Sequence, residues 1–333
     1  AGAGGAGELR SEGRINAAEG TVVLAAPQLT HSGQISARRV GLVAASDVLV
    51  DMEGDGLVLF NVRNDRLDAR LSVLGSVRAD GGSAEVRAAA RAGFADTVLN
   101  MDGVVQARSL GTREGRIVID GGGAGNTLVT GTLDATGQAA GERGGAVDVL
   151  GQRVGLPGTA VVDASGAAGG GRLRVGGDFQ GANTEVRNAE QTAVMNGAQL
   201  RADATGHGDG GRVILWADDR MRFGGTVSAR GAGGGQGGFA EVSGKETLVF
   251  AGNVDLSAPG GRAGTLLLDP RDLTITDQTT PPDLTGDIAF GFNGNNDSTF
   301  SKTSLNGLLG AGTSVSLATR RNLSIAANGG AVT

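Results

Sequence analysis

A right-handed parallel β-helix, an all-β solenoid of roughly ten coils with loop insertions, is the fold this sequence predicts. Three observations point to it. A five-residue motif recurs at a near-constant interval, a second strand pattern keeps the same interval, and the composition supplies aliphatic residues and glycine while withholding aromatics.

The motif is Gly-x-aliphatic-polar-Ala. It reads G-R-I-N-A from Gly13, G-Q-I-S-A from Gly33, G-S-V-R-A from Gly75, G-V-V-Q-A from Gly103, G-T-L-D-A from Gly131 and G-T-V-S-A from Gly225. Looser copies start at Ala160, Ala198 and Gly252. From Gly33 onward the separations are 42, 28, 28, 29, 38, 27 and 27 residues, which is one structural unit interrupted by two insertions. The second pattern places aliphatic pairs two residues apart: Val22 and Leu24, Ala84 and Val86, Ile117 and Ile119, Val147 and Val149, Leu173 and Val175, Val213 and Leu215, Ala240 and Val242, Leu266 and Leu268. Charged residues such as Glu85, Asp148, Arg174 and Glu241 sit between the pair members. Alternation of this kind predicts a strand with its aliphatic face buried and its charged face in water. A unit this long, without helical periodicity, is a poor fit to hairpins or helical repeats and predicts a coil of three short strands.

Composition agrees. The 333 residues include 62 glycines but only 9 phenylalanines, 1 tryptophan and no tyrosine, so a core must be built from Val, Leu, Ile and Ala stacked coil on coil. Corner turns that need positive φ explain the glycines. The shaft is expected over residues 1–270, with insertions near 38–74 and 176–197. In the first insertion, the alternation between Val40 and Val62 suggests an extra coil; the second reads as a loop or short hairpin leaving the rod. Residues 271–333 are expected to form a turn-rich break around Pro281-Pro282 and Asn293 to Asp297, then further β-helix-like strands with Val315, Leu317, Leu323 and Ile325. Thr303 to Leu309 predicts one short helix capped by Ser304 and stopped by Gly310.

Several function classes are disfavoured. A net charge of −6 with Arg interleaved among Asp and Glu does not make a nucleic-acid surface. With no cysteine and 2 histidines, thiolate and imidazole metal sites have little to draw on, and no cofactor is expected. No apolar run reaches the roughly 20 residues of a membrane-spanning helix, and the first residues are no signal peptide.

Longer strings carry a family resemblance. Glu53 to Val62 (E-G-D-G-L-V-L-F-N-V), A-D-G-G-S-A-E-V-R-A-A-A from Ala79, and G-V-V-Q-A-R-S-L-G-T-R-E-G-R-I-V-I-D-G-G from Gly103 resemble the filamentous haemagglutinin-type exoproteins of two-partner secretion. So do G-G-R-V-I-L-W-A-D from Gly210, S-A-R-G from Ser228 and A-G-T-L-L-L-D-P from Ala263. The resemblance covers roughly residues 13–333. It implies a secreted, Gram-negative cell-surface β-helix that an outer-membrane transporter partner exports, with a structural, adhesive role in attachment or cell–cell contact in biofilms. A host or cell-surface glycan or protein would be its receptor. The amino-terminal secretion module and its Asn-Pro-containing signature are not recognised, so an interior fragment is expected. A cysteine-free chain suits export through a pore, because disulfides formed earlier would block threading.

Three groups of residues invite chemistry. Gly206-His207-Gly208, Asp218-Asp219 and Asn183-Thr184-Glu185 imitate the acid-catalysis elements of β-helix polygalacturonases, but their order differs and the third acid is Glu, so no enzyme is expected. Asp51, Glu53 and Asp55 before Gly56 start like a calcium loop, yet Val62 stands where the bidentate Glu belongs. Gly121 to Leu128 resembles the glycine-rich calcium nonapeptide without its Asp, and Gly2 to Gly7 spells a dinucleotide motif with no strand before it. Trp216 should point outward by alternation from Val213 and Leu215. There it would either stack on a sugar ring beside Asp218 and Asp219 or be covered by Met221 to Phe223. Asn296-Asp297-Ser298 and Asn322-Leu323-Ser324 are surface glycan-acceptor triplets. Two alternatives to the adhesin shaft stay open: a filament self-assembling end to end or laterally through open strand edges, and a carbohydrate-active β-helix.

Overall fold

Short strands with aliphatic residues two apart bury one face only if successive strands stack in register, so that each side chain lies over its counterpart in the coil before. The computed structural model of the chain has this arrangement. It describes residues 7–45, 48–51, 59–62, 69–90, 97–277, 284, 288, 290 and 298–326. Every pairing between strands of successive coils is parallel, and the coils lay their strands on three lengthwise faces of a parallel β-helix.

The first face holds the pentapeptide motif. Ile35, Val77, Val105, Leu133, Val162, Leu200, Val227 and Val254 pair directly, strand to strand, through two long intervals and several short ones. The looser copies are therefore true repeats. On the second face Ile117, Val147, Leu173, Val213, Ala240 and Leu266 form one column and Ile119, Val149, Val175, Leu215 and Val242 another. Val147, Leu173 and Val213 are each 0 % exposed, so the interior is a continuous dry stack. The third face lies between the second face of one coil and the first of the next. Leu29, Leu71 and Leu99 stack near its start. Near its far end Phe223, Phe250 and Phe300 run as an aromatic column with ring centroids 5.1 Å apart at each step.

Glycines such as Gly81, Gly111 and Gly141 have the positive φ expected of turns, but those that open the pentapeptide motif serve a different purpose. At Gly75, Gly103 and Gly131 the backbone is not left-handed; a Cβ on each would overlap the carbonyl oxygen of the glycine in the coil beneath. Tight stacking of corners, not handedness, excludes side chains there.

Both insertions depart from expectation. Among the described residues, strands Val48–Asp51 and Leu59–Val62 pair antiparallel with each other as a separate two-stranded sheet, which is not the pairing of an extra coil. Glu53 and Asp55 of the calcium-like sequence lie outside the described residues. The segment 176–190 does not leave the rod: it folds back against the second face, with a 3₁₀ turn at Phe179–Gly181.

Near the far end the winding order inverts. Strand Thr299–Ser301 slots between Thr247–Phe250 and Asp272–Thr276, which precedes it in sequence. The helix Lys302–Gly310 follows, where a first-face strand would come, and buries Leu305 and Leu308. Its cap is Ser301, whose hydroxyl accepts the Ser304 N–H at 3.4 Å, not Ser304 itself. Lys302, buried, pairs with Asp277 at 3.2 Å. Strands Ser314–Leu317 and Asn322–Ile325 then resume the second and third faces. Pro281-Pro282 and Asn293 to Asp297 lie outside the described residues.

A strap over the second face as candidate functional site

Alternation along the second face sends Glu85, Val118, Asp148, Arg174, Ile214 and Glu241 outward in one row. Sequence patterning places the charged members in water. The structure buries them: Glu85, Asp148, Arg174 and Glu241 are all nearly inaccessible. Much of the cover is the strap 176–190, and a buried charge requires partners, so the strap's polar groups are matched to the row.

Arg174 makes a two-pronged contact with Asp148, Nε to Oδ1 at 2.7 Å and Nη2 to Oδ2 at 2.8 Å, and reaches Asp178 on the strap through Nη1 at 2.7 Å. Burial alone would lift the Asp178 carboxyl. Donors outweigh it: Asn183 Nδ2, the Phe179 N–H and Arg174 hold it at about 2. Further along, the Gln180 N–H points at both Glu241 oxygens, at 3.2 and 3.1 Å, and its side-chain amide donates to Asp269 at 3.2 Å. Gln180 has φ 53°, the one positive value among described non-glycine residues. Tertiary contacts hold it in that costly conformation. Burial pushes Glu241 up to about 7, against the pull of the Gln180 N–H, Ser243 and Arg212 and with the added repulsion of Asp269. Arg212 in turn lies over the rings of Phe179 and Phe239, which touch edge to face, at 4.9 and 4.7 Å from their centroids.

Trp216 points outward, as alternation requires, yet is 1 % exposed. The cover is the strap and not the stretch Met221 to Phe223, whose Met221 and Phe223 face the interior of the third face. Glycine at 177 and 181 lets the strap lie flat on the indole; a Cβ at either would press into the ring. The indole Nε1 donates to Asp218 Oδ1 at 3.0 Å, and Asn188 Nδ2 donates to the same oxygen at 3.2 Å. An indole so enclosed has no face for a sugar. What it does instead is anchor the strap.

Asp218 and Asp219 remain accessible. With Gln152, Arg187, Asn188, Glu190 and Gly123 they line an open recess of about 360 Å³ at the turn from the second face to the third. The Asp218 and Asp219 N–H groups donate to the carbonyls of Ala189 and Glu190, which ties the recess to the strap's end. Carboxylates beside carboxamides and a guanidinium suit hydroxyl-rich ligands, which need donors and acceptors side by side. His207 sits at the opposite end of strand Arg212–Ala217 from Asp218, and Asn183 and Glu185 ride on the strap, so the polygalacturonase-like elements do not converge. Among the described residues no three His, Cys, Asp or Glu side chains group as a metal site, and no helix is long and apolar enough to cross a membrane. At Gly122 and Gly125 the calcium-nonapeptide-like stretch is a left-handed turn closed by Asp120 and Gln152 side chains.

No family model matches the chain, and no curated protein matches it. Among solved structures it is similar to the crystal structure of the HMW1 secretion domain from Haemophilus influenzae, with a TM-score of 0.64 and 26 % identity. The similarity covers 78 % of this chain and 66 % of that one, so this chain spans just under two thirds of the neighbour's length.

Proposed function

We propose that this chain is part of the β-helical body of a secreted adhesin exported by two-partner secretion, and that it serves attachment or cell–cell contact. The observation that carries the reading is the likeness, in fold and at 26 % identity, to a secretion domain. It agrees with the haemagglutinin-type strings along the same coils. The fold suits such a role, because a stack of in-register coils makes a stiff rod without disulfides and leaves its lateral surface open to receptors. The recess with Asp218 and Asp219 is the proposed contact for a hydroxyl-rich cell-surface glycan.

The test couples export to attachment. Fused behind a Sec signal and co-expressed with a two-partner transporter, the chain is expected in the medium, and beads coated with it are expected to adhere to bacterial or epithelial cells. Asp218→Ala with Asp219→Ala should reduce adhesion severalfold while leaving export unchanged. Export without any adhesion would overturn the adhesive role, and adhesion unaffected by the double variant would overturn the recess.

The similarity to a secretion domain favours a second reading: these coils themselves engage the transporter, where the resemblance alone suggests an interior fragment of the shaft. Export of the chain without additional upstream sequence would support it, and strict dependence on a longer amino-terminal segment would return the coils to the shaft.

A further inference from the structure

One residue before the aliphatic pair, the second face sets Arg116, Ala146, Arg172 and Arg212 outward in a second row. Ala146 puts a methyl group where its neighbours put guanidinium chains. A notch therefore opens between Arg116 and Arg172, whose strands are two apart, or about 10 Å.

The floor of the notch is Asp148, already committed to Arg174 by two short hydrogen bonds. Arg116 and Arg172 approach the same carboxylate only at 3.8 and 3.9 Å. Their Nε atoms are hidden from solvent and have no hydrogen-bond partner. Three guanidinium groups thus meet two carboxylates, Asp148 and Asp178, the second engaged from the far side by Arg174. Burial, with the like charges of Arg174 and Arg116, lowers the pKa of Arg172 against the attraction of Asp148 and Asp178. Around the notch lies a polar recess of about 610 Å³, walled by Arg87 and Asp120 on the shaft and by Asn183, Glu185 and Arg187 on the strap.

We propose that this notch is an oxyanion-binding site, in which a carboxylate or phosphate-class group bridges Arg116 and Arg172. An anion there supplies close acceptors to the accessible Nη ends of the two arginines, which reach Asp148 only at 3.8 and 3.9 Å, and neutralises the excess positive charge beside Asp148. The forked geometry of guanidinium favours planar or tetrahedral oxyanions over chloride. This site shares the Arg187 side chain with the Asp218 recess but none of its carboxylates, and it does not depend on the adhesin reading. The group can arrive as a free ion or on an acidic chain lying along the rod.

Trp216 is the sole tryptophan and reports on the strap, because Asn188 shares Asp218 with the indole and the strap wall of the notch ends just before it. Its fluorescence is followed while inorganic phosphate, or in a second series poly-glutamate, is titrated at constant ionic strength, with calorimetry as a readout independent of the indole. Saturable binding is expected, weakened about tenfold or more in Arg172→Gln and in Arg116→Gln and unchanged in Arg201→Gln on the first face. Arg172→Lys keeps the charge without the fork and should bind at an intermediate strength if Arg172→Gln folds poorly. Tighter binding of poly-glutamate identifies an acidic chain as the source, and equal or weaker binding identifies a free ion. Absence of saturation with both probes, or equal binding by wild type and all three notch variants, would overturn the site.

Discussion

Glycine serves two purposes in this chain, and the two predict opposite sensitivities. A Cβ at Gly103 would overlap the Gly75 carbonyl, whereas Gly141 has φ 86° with nothing near its missing Cβ. Gly103→Ala must therefore push two coils apart, at a cost on the order of 2–4 kcal/mol. Gly141→Ala meets only the left-handed backbone penalty, roughly 1 kcal/mol. Urea denaturation of both variants checks the contrast, and equal costs would refute the stacking account. Glu241 carries the second prediction at this scale. Its folded pKa, about 7, stands above the ordinary value of 4.5. The fold accordingly favours the protonated form, and that contribution is complete below about pH 4.5 and is lost as pH rises through 7. Its size is on the order of a few kcal/mol, capped by the free energy of docking the strap. Melting temperatures at pH 5 and pH 8 should differ more for the wild type than for Glu241→Gln, which stays neutral; equal differences would remove Glu241 as the source.

The strap is the element that decides which outward residues see water. Gly181→Val places a branched side chain against the Trp216 ring at a left-handed position, so the strap should lift while the interior columns of the shaft stay closed. The expected signature is a red shift of tryptophan emission with unchanged β-sheet circular dichroism; an unshifted spectrum would mean that the strap does not hold the indole. This element is also the least legible in the sequence. Val147, Leu173 and Val213 are readable as a buried column because aliphatic pairs two apart leave a period that local sequence carries. Glu241 beneath Gln180 is not, since the contact joins residues 61 apart and nothing near either marks it. The third face lies between these cases. Its columns mix Thr127, His31, Met101 and Phe223, which blurs the aliphatic pattern. Its signal is spacing: Leu71 and Val73, Leu99 and Met101, Met221 and Phe223, Leu248 and Phe250 each stand four and two residues before a first-face glycine. The Asp218 and Asp219 pair is visible as acids near a strand end, but its recess depends on Arg187 and Glu190 from the strap.

At the scale of the rod, parallel stacking makes each coil depend on its two neighbours, and unfolding by that rule alone would proceed as a gradient from the ends. The strap breaks the rule. Arg187 lies 3.8 Å from Asp120, Asn188 holds Asp218, and Gln180 holds Glu241 and Asp269. One segment is thereby fastened along the six successive second-face strands from Arg116–Asp120 to Thr265–Leu268, a span of about 24 Å at strand spacing. On the third face the carbonyl of Leu284 accepts the Asn196 N–H at 3.0 Å, and Leu284 packs with Ala193 and Met195, a second lengthwise tie over part of the same coils. Contacts that cross several coils convert neighbour-by-neighbour fraying into one cooperative unit. Hydrogen exchange is therefore expected to show a single slow block over roughly residues 116–269, with strands Glu8–Ser11, Arg14–Ala26 and Asn322–Ile325 exchanging sooner. In Gly181→Val that block should dissolve into a graded profile, fastest toward its edges. A wild-type profile already graded coil by coil would mean that neighbour stacking alone sets the stability of the rod.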